Sequence, residues 1–147
     1  MTRRLHGVAD GRLRLQVPPD AVSLAAGQRA IAGFLAPGAA SEHAVFFTEL
    51  AFEELLSNII RHGNTGGAPI DVCLTVRDDG AIELTVEDDG PPFDPLSVPE
   101  PPAPSSIEDA RIGGLGLVLV RKSCERMTYE RIAGRNRVSV RIAPRAA

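Results

Sequence analysis

Lysine is almost missing from this chain: Lys122 is the only one in 147 residues. A P-loop needs Gly-Lys-Ser/Thr, and the residue before Lys122 is Arg121, so that phosphate cradle is excluded. The strand lysine and catalytic-loop pattern of eukaryotic-type protein kinases cannot be placed either. No Gly-x-Ser-x-Gly elbow occurs, and the three histidines, His6, His43 and His62, make no metal-ligand spacing. Cysteine is equally sparse. Cys73 and Cys124 lie far apart in apolar surroundings and read as core thiols of a reducing, cytoplasmic protein. No hydrophobic run reaches the length of a membrane span, and the opening MTRRLHGVADG lacks a signal peptide's apolar stretch. With no tryptophan, one tyrosine and five phenylalanines, the chain has few stacking platforms, and they do not interleave with its basic residues. Direct nucleic-acid binding is therefore not expected.

What is present suits one compact domain over residues 1–147, with 44% hydrophobic and 24% charged residues. The net charge of -3 is unevenly spread. Residues 121–147 carry Arg121, Lys122, Arg126, Arg131, Arg135, Arg137, Arg141 and Arg145 against Glu125 and Glu130. A solvated basic face explains that run.

Periodicity supplies the elements. RLRLQV at 12–17 alternates as a strand does. Residues 21–35 carry apolar side chains at helical spacing and stop at Ala36-Pro37-Gly38. Ser41 is placed to cap a long helix running to about His62. IDVCLTV at 70–76 and AIELTVE at 81–87 form a hairpin across Arg77-Asp78-Asp79-Gly80. IGGLGLVLVRKSCER reads as a glycine turn entering a helix, and MTYERI, a turn at AGRN and RVSVRI form a second hairpin. The resulting class is α+β: a two-layer sandwich with a mainly antiparallel sheet packed against helices.

Two segments exceed what elements need. Asp-Asp-Gly occurs twice, at 78–80 and at 88–90. The first copy is explained as a turn. The second runs into Pro91-Pro92-Phe93-Asp94-Pro95, and seven of the twelve prolines fall between Pro91 and Pro104. Residues 94–112 therefore read as a long irregular loop of the kind that serves as a lid. On the long helix, Glu54 and Asn58 are one turn apart at the margin of an apolar arc formed by Ala44, Ala51, Phe52, Leu55, Leu56 and Ile59. The pair fits a buried polar site that needs partners, and it equally fits two side chains reaching solvent. GGLGL at 113–117 would offer backbone amides at a helix start, or simply a tight turn.

In order, Glu54-x-x-x-Asn58, Asp88-x-Gly90 and Gly114-x-Gly116-Leu117 around a lid resemble the ATP-binding GHKL superfamily of gyrase, heat-shock chaperones, histidine kinases and mismatch-repair proteins. DDGPPFDP, the GGLGL box and the short chain are more narrowly similar to the anti-sigma-factor serine kinases of bacterial partner switching. The resemblance covers roughly residues 12 to 142 and implies a Bergerat-type fold, ATP and Mg²⁺ as cofactors, and phosphorylation of a STAS-type antagonist. It also implies a homodimer that sequesters a sigma factor. By the same resemblance Asp88 accepts a hydrogen bond from the adenine amino group and Gly90 lets the backbone pass close to the base. Asn58 coordinates Mg²⁺, and Glu54 is the general base. Gly113, Gly114, Leu115, Gly116 and Leu117 belong to the phosphate-binding box. Ser139 stands where the family usually has a threonine near adenine. Arg111 is expected to reach the phosphates and His62 to line the pocket, although both also fit surface positions. Pro92 replaces the second glycine of the wider superfamily's Asp-x-Gly-x-Gly, which favours the serine-kinase branch over histidine kinases.

Overall fold

Alternation along four of the strand segments, 12–17, 70–76, 82–88 and 135–142, with one face apolar, dictates a sheet that must be covered on that side. The computed structural model describes residues 6–9, 11–36, 38, 40–62, 66–97 and 115–145. Its strands are β1 (His6–Ala9), β2 (Arg12–Val17), β3 (Ile70–Val76), β4 (Ile82–Asp88), β5 (Arg126–Ile132) and β6 (Arg135–Ile142). They pair in the order β1-β2-β3-β4-β6-β5, with every pairing antiparallel. Among the described residues, three helices accompany the sheet: α1 (Ala21–Leu35), α2 (Glu42–His62) and α3 (Leu115–Ser123). The expected α+β sandwich is the architecture found. Strand β1 extends it by one strand that the sequence pattern did not suggest.

The inward parity of β2, β3, β4 and β6 builds the core. Leu13, Leu15 and Val17 of β2, Ile70, Val72 and Leu74 of β3, and Ile82, Leu84 and Val86 of β4 are buried with Val138, Val140 and Ile142 of β6. Helix α2 lies over them with Phe52, Leu55 and Leu56 buried, and touches α1, α3, β4 and β6. Asp20 caps α1 by accepting from the Ser23 amide at 2.7 Å. Gly27 lets α1 approach α2, because a Cβ there would sit 2.7 Å from Phe52 Cζ. Ser41 caps α2 as expected, accepting from the Ala44 amide at 3.1 Å, and its hydroxyl donates to the Pro144 carbonyl.

The opposite face of the sheet is charged. Arg135 pairs with Asp71, Glu87 and Asp89 at 2.6–3.0 Å, and Arg141 with Asp79, Glu83 and Glu125 at 2.8–3.2 Å. Three arginines of the basic C-terminal run, Arg135, Arg137 and Arg141, are thus matched by neighbouring carboxylates on this solvated face. Among the described residues, no helix is long and apolar enough to cross a membrane.

Candidate functional site

The two Asp-Asp-Gly copies separate by burial. In the first, Gly80 adopts a φ of 87° and Asp79 accepts from the Ala81 amide at 2.9 Å, which closes the β3–β4 hairpin. In the second, Asp88 is the last residue of β4 and shares the inward parity of Leu84 and Val86. It is 5% exposed, which is costly for a carboxylate without partners. Its Oδ1 accepts from the Gly90 amide at 2.8 Å and from Asn136 Nδ2 at 3.1 Å. Among the described residues, Oδ2 has no partner.

Asp88 lines a narrow cavity of about 20 Å³ together with Asn58, Leu55, Ile59, Val86 and Val138. Its outer wall is Phe93 and Pro95. The space is that of about one water molecule. Pro95 is buried, and Asp94 folds the segment by accepting from the Leu96 amide at 2.8 Å. The first residues of the expected 94–112 lid are therefore pocket wall, and the lid beyond Ser97 lies outside the described residues.

Helix α2 brings Glu54 and Asn58 to this end of the sheet. Asn58 is half-buried, and its Oδ1 accepts from an Arg61 guanidinium nitrogen at 2.9 Å. Glu54 is half-buried against α3. A Cβ on Gly116 would lie 2.4 Å from the Glu54 Oε1, so the carboxyl group keeps its present place only beside a glycine. Burial pushes the Glu54 carboxyl above the usual glutamate range, Glu53 adds to the rise, and Arg61 opposes it. His62 is exposed and outside the cavity. Its ring stacks on Phe93 from behind, with centroids 6.0 Å apart and planes at 27°.

The glycine box is only partly described. Leu115 and Gly116 open α3, and Leu117 is 7% exposed and belongs to the hydrophobic core. Its side chain is thus packing, and only its backbone faces the helix start. Arg111, Gly113 and Gly114 lie outside the described residues.

Ser139 requires correction. On β6 the inward residues are Asn136, Val138, Val140 and Ile142, so Ser139 points to the outer, charged face beside Thr85 and Thr128. Val138 is the residue over the cavity. The polar β6 residue at Asp88 is Asn136, which sequence reasoning had placed in a turn. The actual turn is Ala133–Gly134, with φ of 51° and 77°, and Arg135 already begins the strand.

One cavity at the C-terminal end of β4 thus joins Asp88 to Asn58, and Gly116 seats α3 on Glu54. Residues 17–142 match the histidine kinase-like ATPase domain family. The chain belongs to that family. The serine/threonine-protein kinase BtrW of Bordetella bronchiseptica is 34% identical over 96 residues, 65% of this chain and 68% of that protein. The placement among GHKL ATP-binding proteins, on the anti-sigma-factor kinase branch, is borne out. Two crystal structures share the fold at low identity. One is the SiaB–SiaC complex from Pseudomonas aeruginosa, with a TM-score of 0.63, 15% identity, and 96% of this chain and 92% of that one covered. The other contains the RsbU and RsbW domains of Rv1364c from Mycobacterium tuberculosis, with a TM-score of 0.61, 14% identity and 90% of this chain covered. This family member spans about a third (32%) of that longer chain.

Proposed function

We propose that the chain is an ATP-dependent protein serine kinase that phosphorylates a small STAS-type antagonist and, as a cytoplasmic homodimer, sequesters a sigma factor. The observation that carries the reading is the cavity shared by Asp88 and Asn58, with Glu54 one helical turn away beneath α3. Membership of the ATPase family and the kinase relative support the reaction class.

The residues fit an adenine nucleotide. A carboxylate is acceptor-only, and the Asp88 oxygen that has no partner among the described residues suits an amino donor on a purine edge. Rejecting a base without that donor follows, since it would leave a buried acceptor unpaired. A purine is larger than the present cavity, so the Phe93–Pro95 wall must move outward on entry. The residues also fit Mg²⁺. No cluster of three His, Cys, Asp or Glu forms among the described residues, and Asn58 Oδ1 offers one hard oxygen, as expected for an ion held mainly by phosphates. Arg61 must release that oxygen for Asn58 to serve. When bound, the ion supplies neutralisation of phosphate charge.

In the reaction, Glu54 accepts the proton of the acceptor serine hydroxyl as its oxygen bonds the γ-phosphorus and ADP leaves. A carboxyl raised by burial is the stronger base for that task. Gly116 keeps the start of α3 close to Glu54, so the phosphate end of the site and the base are held together.

The test is transfer of labelled phosphate from ATP to purified STAS-type candidates. Phosphoserine on the acceptor is expected, and Glu54→Gln should retain nucleotide yet lose transfer by roughly a hundredfold or more. Phosphohistidine would assign a histidine-kinase role instead. Binding without any transfer would leave a regulatory ATP-binding module.

A further inference from the structure

We propose that Asn136 governs the base selectivity of the pocket, acting as a positioning residue that links Asp88 to the pocket wall. The inference rests on the nucleotide reading above and goes beyond it by assigning control to the β5–β6 hairpin.

Asn136 is 4% exposed, and its amide is surrounded on both sides. Nδ2 faces acceptors only: Asp88 Oδ1 at 3.1 Å, the Pro91 carbonyl at 2.9 Å and the Gly90 carbonyl at 3.4 Å. Oδ1 faces donors only: the Tyr129 hydroxyl at 2.6 Å, Arg131 Nη1 at 3.1 Å and the Phe93 amide at 3.3 Å. This arrangement settles which atom is nitrogen, because a flipped amide would set donors against donors and acceptors against acceptors. It also leaves the side chain no second orientation.

Two consequences meet in this residue. First, Asn136 and the Gly90 amide both engage Oδ1 of Asp88, which fixes the carboxylate and leaves Oδ2 for the cavity. Second, Asn136 staples residues 90–93 to β6 through the Pro91 carbonyl and the Phe93 amide, and Arg131 adds a bond to the Gly90 carbonyl at 2.8 Å. Phe93 is the wall of the same cavity. The polar group that reads a base edge and the wall that presses the base toward it are thus set by one amide. Sheet pairing does not require such a side chain, since an apolar residue would fill the inward position without needing six partners. The hairpin residues differ in role: Tyr129 and Arg131 hold the amide oxygen, and only Asn136 touches Asp88.

ATP and ITP, which carries an oxygen in place of the amino group, would be titrated calorimetrically with Mg²⁺ into the parent, Asn136→Leu, Asn136→Asp and Arg131→Ala, with melting curves for each. The parent should prefer ATP strongly. Asn136→Leu should shrink the ATP/ITP ratio at least about tenfold, whereas Arg131→Ala should weaken both ligands and keep the ratio. Asn136→Asp places an acceptor against three acceptors, so ATP affinity relative to the parent should recover as pH falls from about 8 to about 5.5 and one carboxyl takes a proton. If Asn136→Leu does not fold, the pH response of Asn136→Asp and the two affinities of Arg131→Ala decide. A parent that binds ATP, with the parent's ratio in Asn136→Leu and a parallel pH profile in Asn136→Asp, overturns the inference alone. A parent that binds no ATP overturns the pocket reading and this inference with it.

Discussion

Glu54 carries a carboxyl into the seam between α2 and α3, and its neighbours decide its charge. Burial is the largest influence and raises its pKa from the ordinary value of 4.5. An acid raised in the folded state adds stability below its unfolded pKa and loses that contribution as pH climbs through the folded one. The stability difference between Glu54→Gln and the parent should therefore favour the variant at pH 7, by a few degrees in melting temperature, and shrink at pH 4. A difference that does not vary with pH would mean the carboxyl is solvated as in the unfolded chain. Asp88 makes the opposite kind of demand. Replacing it with alanine leaves the Gly90 amide without its acceptor, a loss of about 1–3 kcal/mol, while the Asn136 nitrogen keeps the Pro91 and Gly90 carbonyls. Asp88→Ala should melt several degrees lower and lose at least about a hundredfold in ATP affinity. Calorimetry finding parental affinity in a folded Asp88→Ala would remove adenine recognition from this residue.

At the scale of elements, the helices and most strands were readable because apolar residues recur at the period of the structure they form. The boundaries of α1, and the start of α2 after Ser41, were marked by capping residues and breakers. Strand β1 escaped notice because HGVA offers four residues with little alternation and gains its place only by pairing with β2. The exchange of Ser139 for Asn136 had a different origin. The signal was present, since Val138, Val140 and Ile142 already define the inward parity of RNRVSVRI, and counting back two residues reaches Asn136. Asn136 ends the AGRN stretch, two residues after Gly134, and that stretch reads as a turn instead. The contact of Gly116 with Glu54 could not be read at all, because it depends on how closely two helices approach. That contact is testable with glycines that differ only in surroundings. Gly116→Ala forces either the Glu54 carboxyl group or α3 to shift, and should destabilise the fold relative to an alanine in open space and weaken phosphoryl transfer by about tenfold or more. Gly33→Ala, in α1 with nothing within 4 Å of a new Cβ, should stabilise by up to about 1 kcal/mol. Equal melting behaviour of the two variants would contradict the packing described.

Across the whole molecule, the sheet separates two chemistries. Its charged face holds arginine–carboxylate pairs that are partly exposed and individually weak. Its helix-covered face ends, at the C-terminal end of β4, in the cavity that joins strand, α2 and the Phe93 wall. A ligand seated there touches elements from the middle and the end of the chain at once, so its binding energy must appear as global stability. At a ligand concentration a hundred times the dissociation constant, the gain is about 2.7 kcal/mol, enough to raise the melting temperature of a chain of this length by roughly 5–10 °C. ATP with Mg²⁺ should produce such a shift in the parent, and ATP with a chelator a smaller one. In Asn58→Ala the two shifts should converge, because the amide oxygen expected to hold the ion is gone while Asp88 still meets the base. Should Asn58→Ala keep the parent's full difference between the two conditions, the ion is held elsewhere, and Asn58 serves only to receive Arg61.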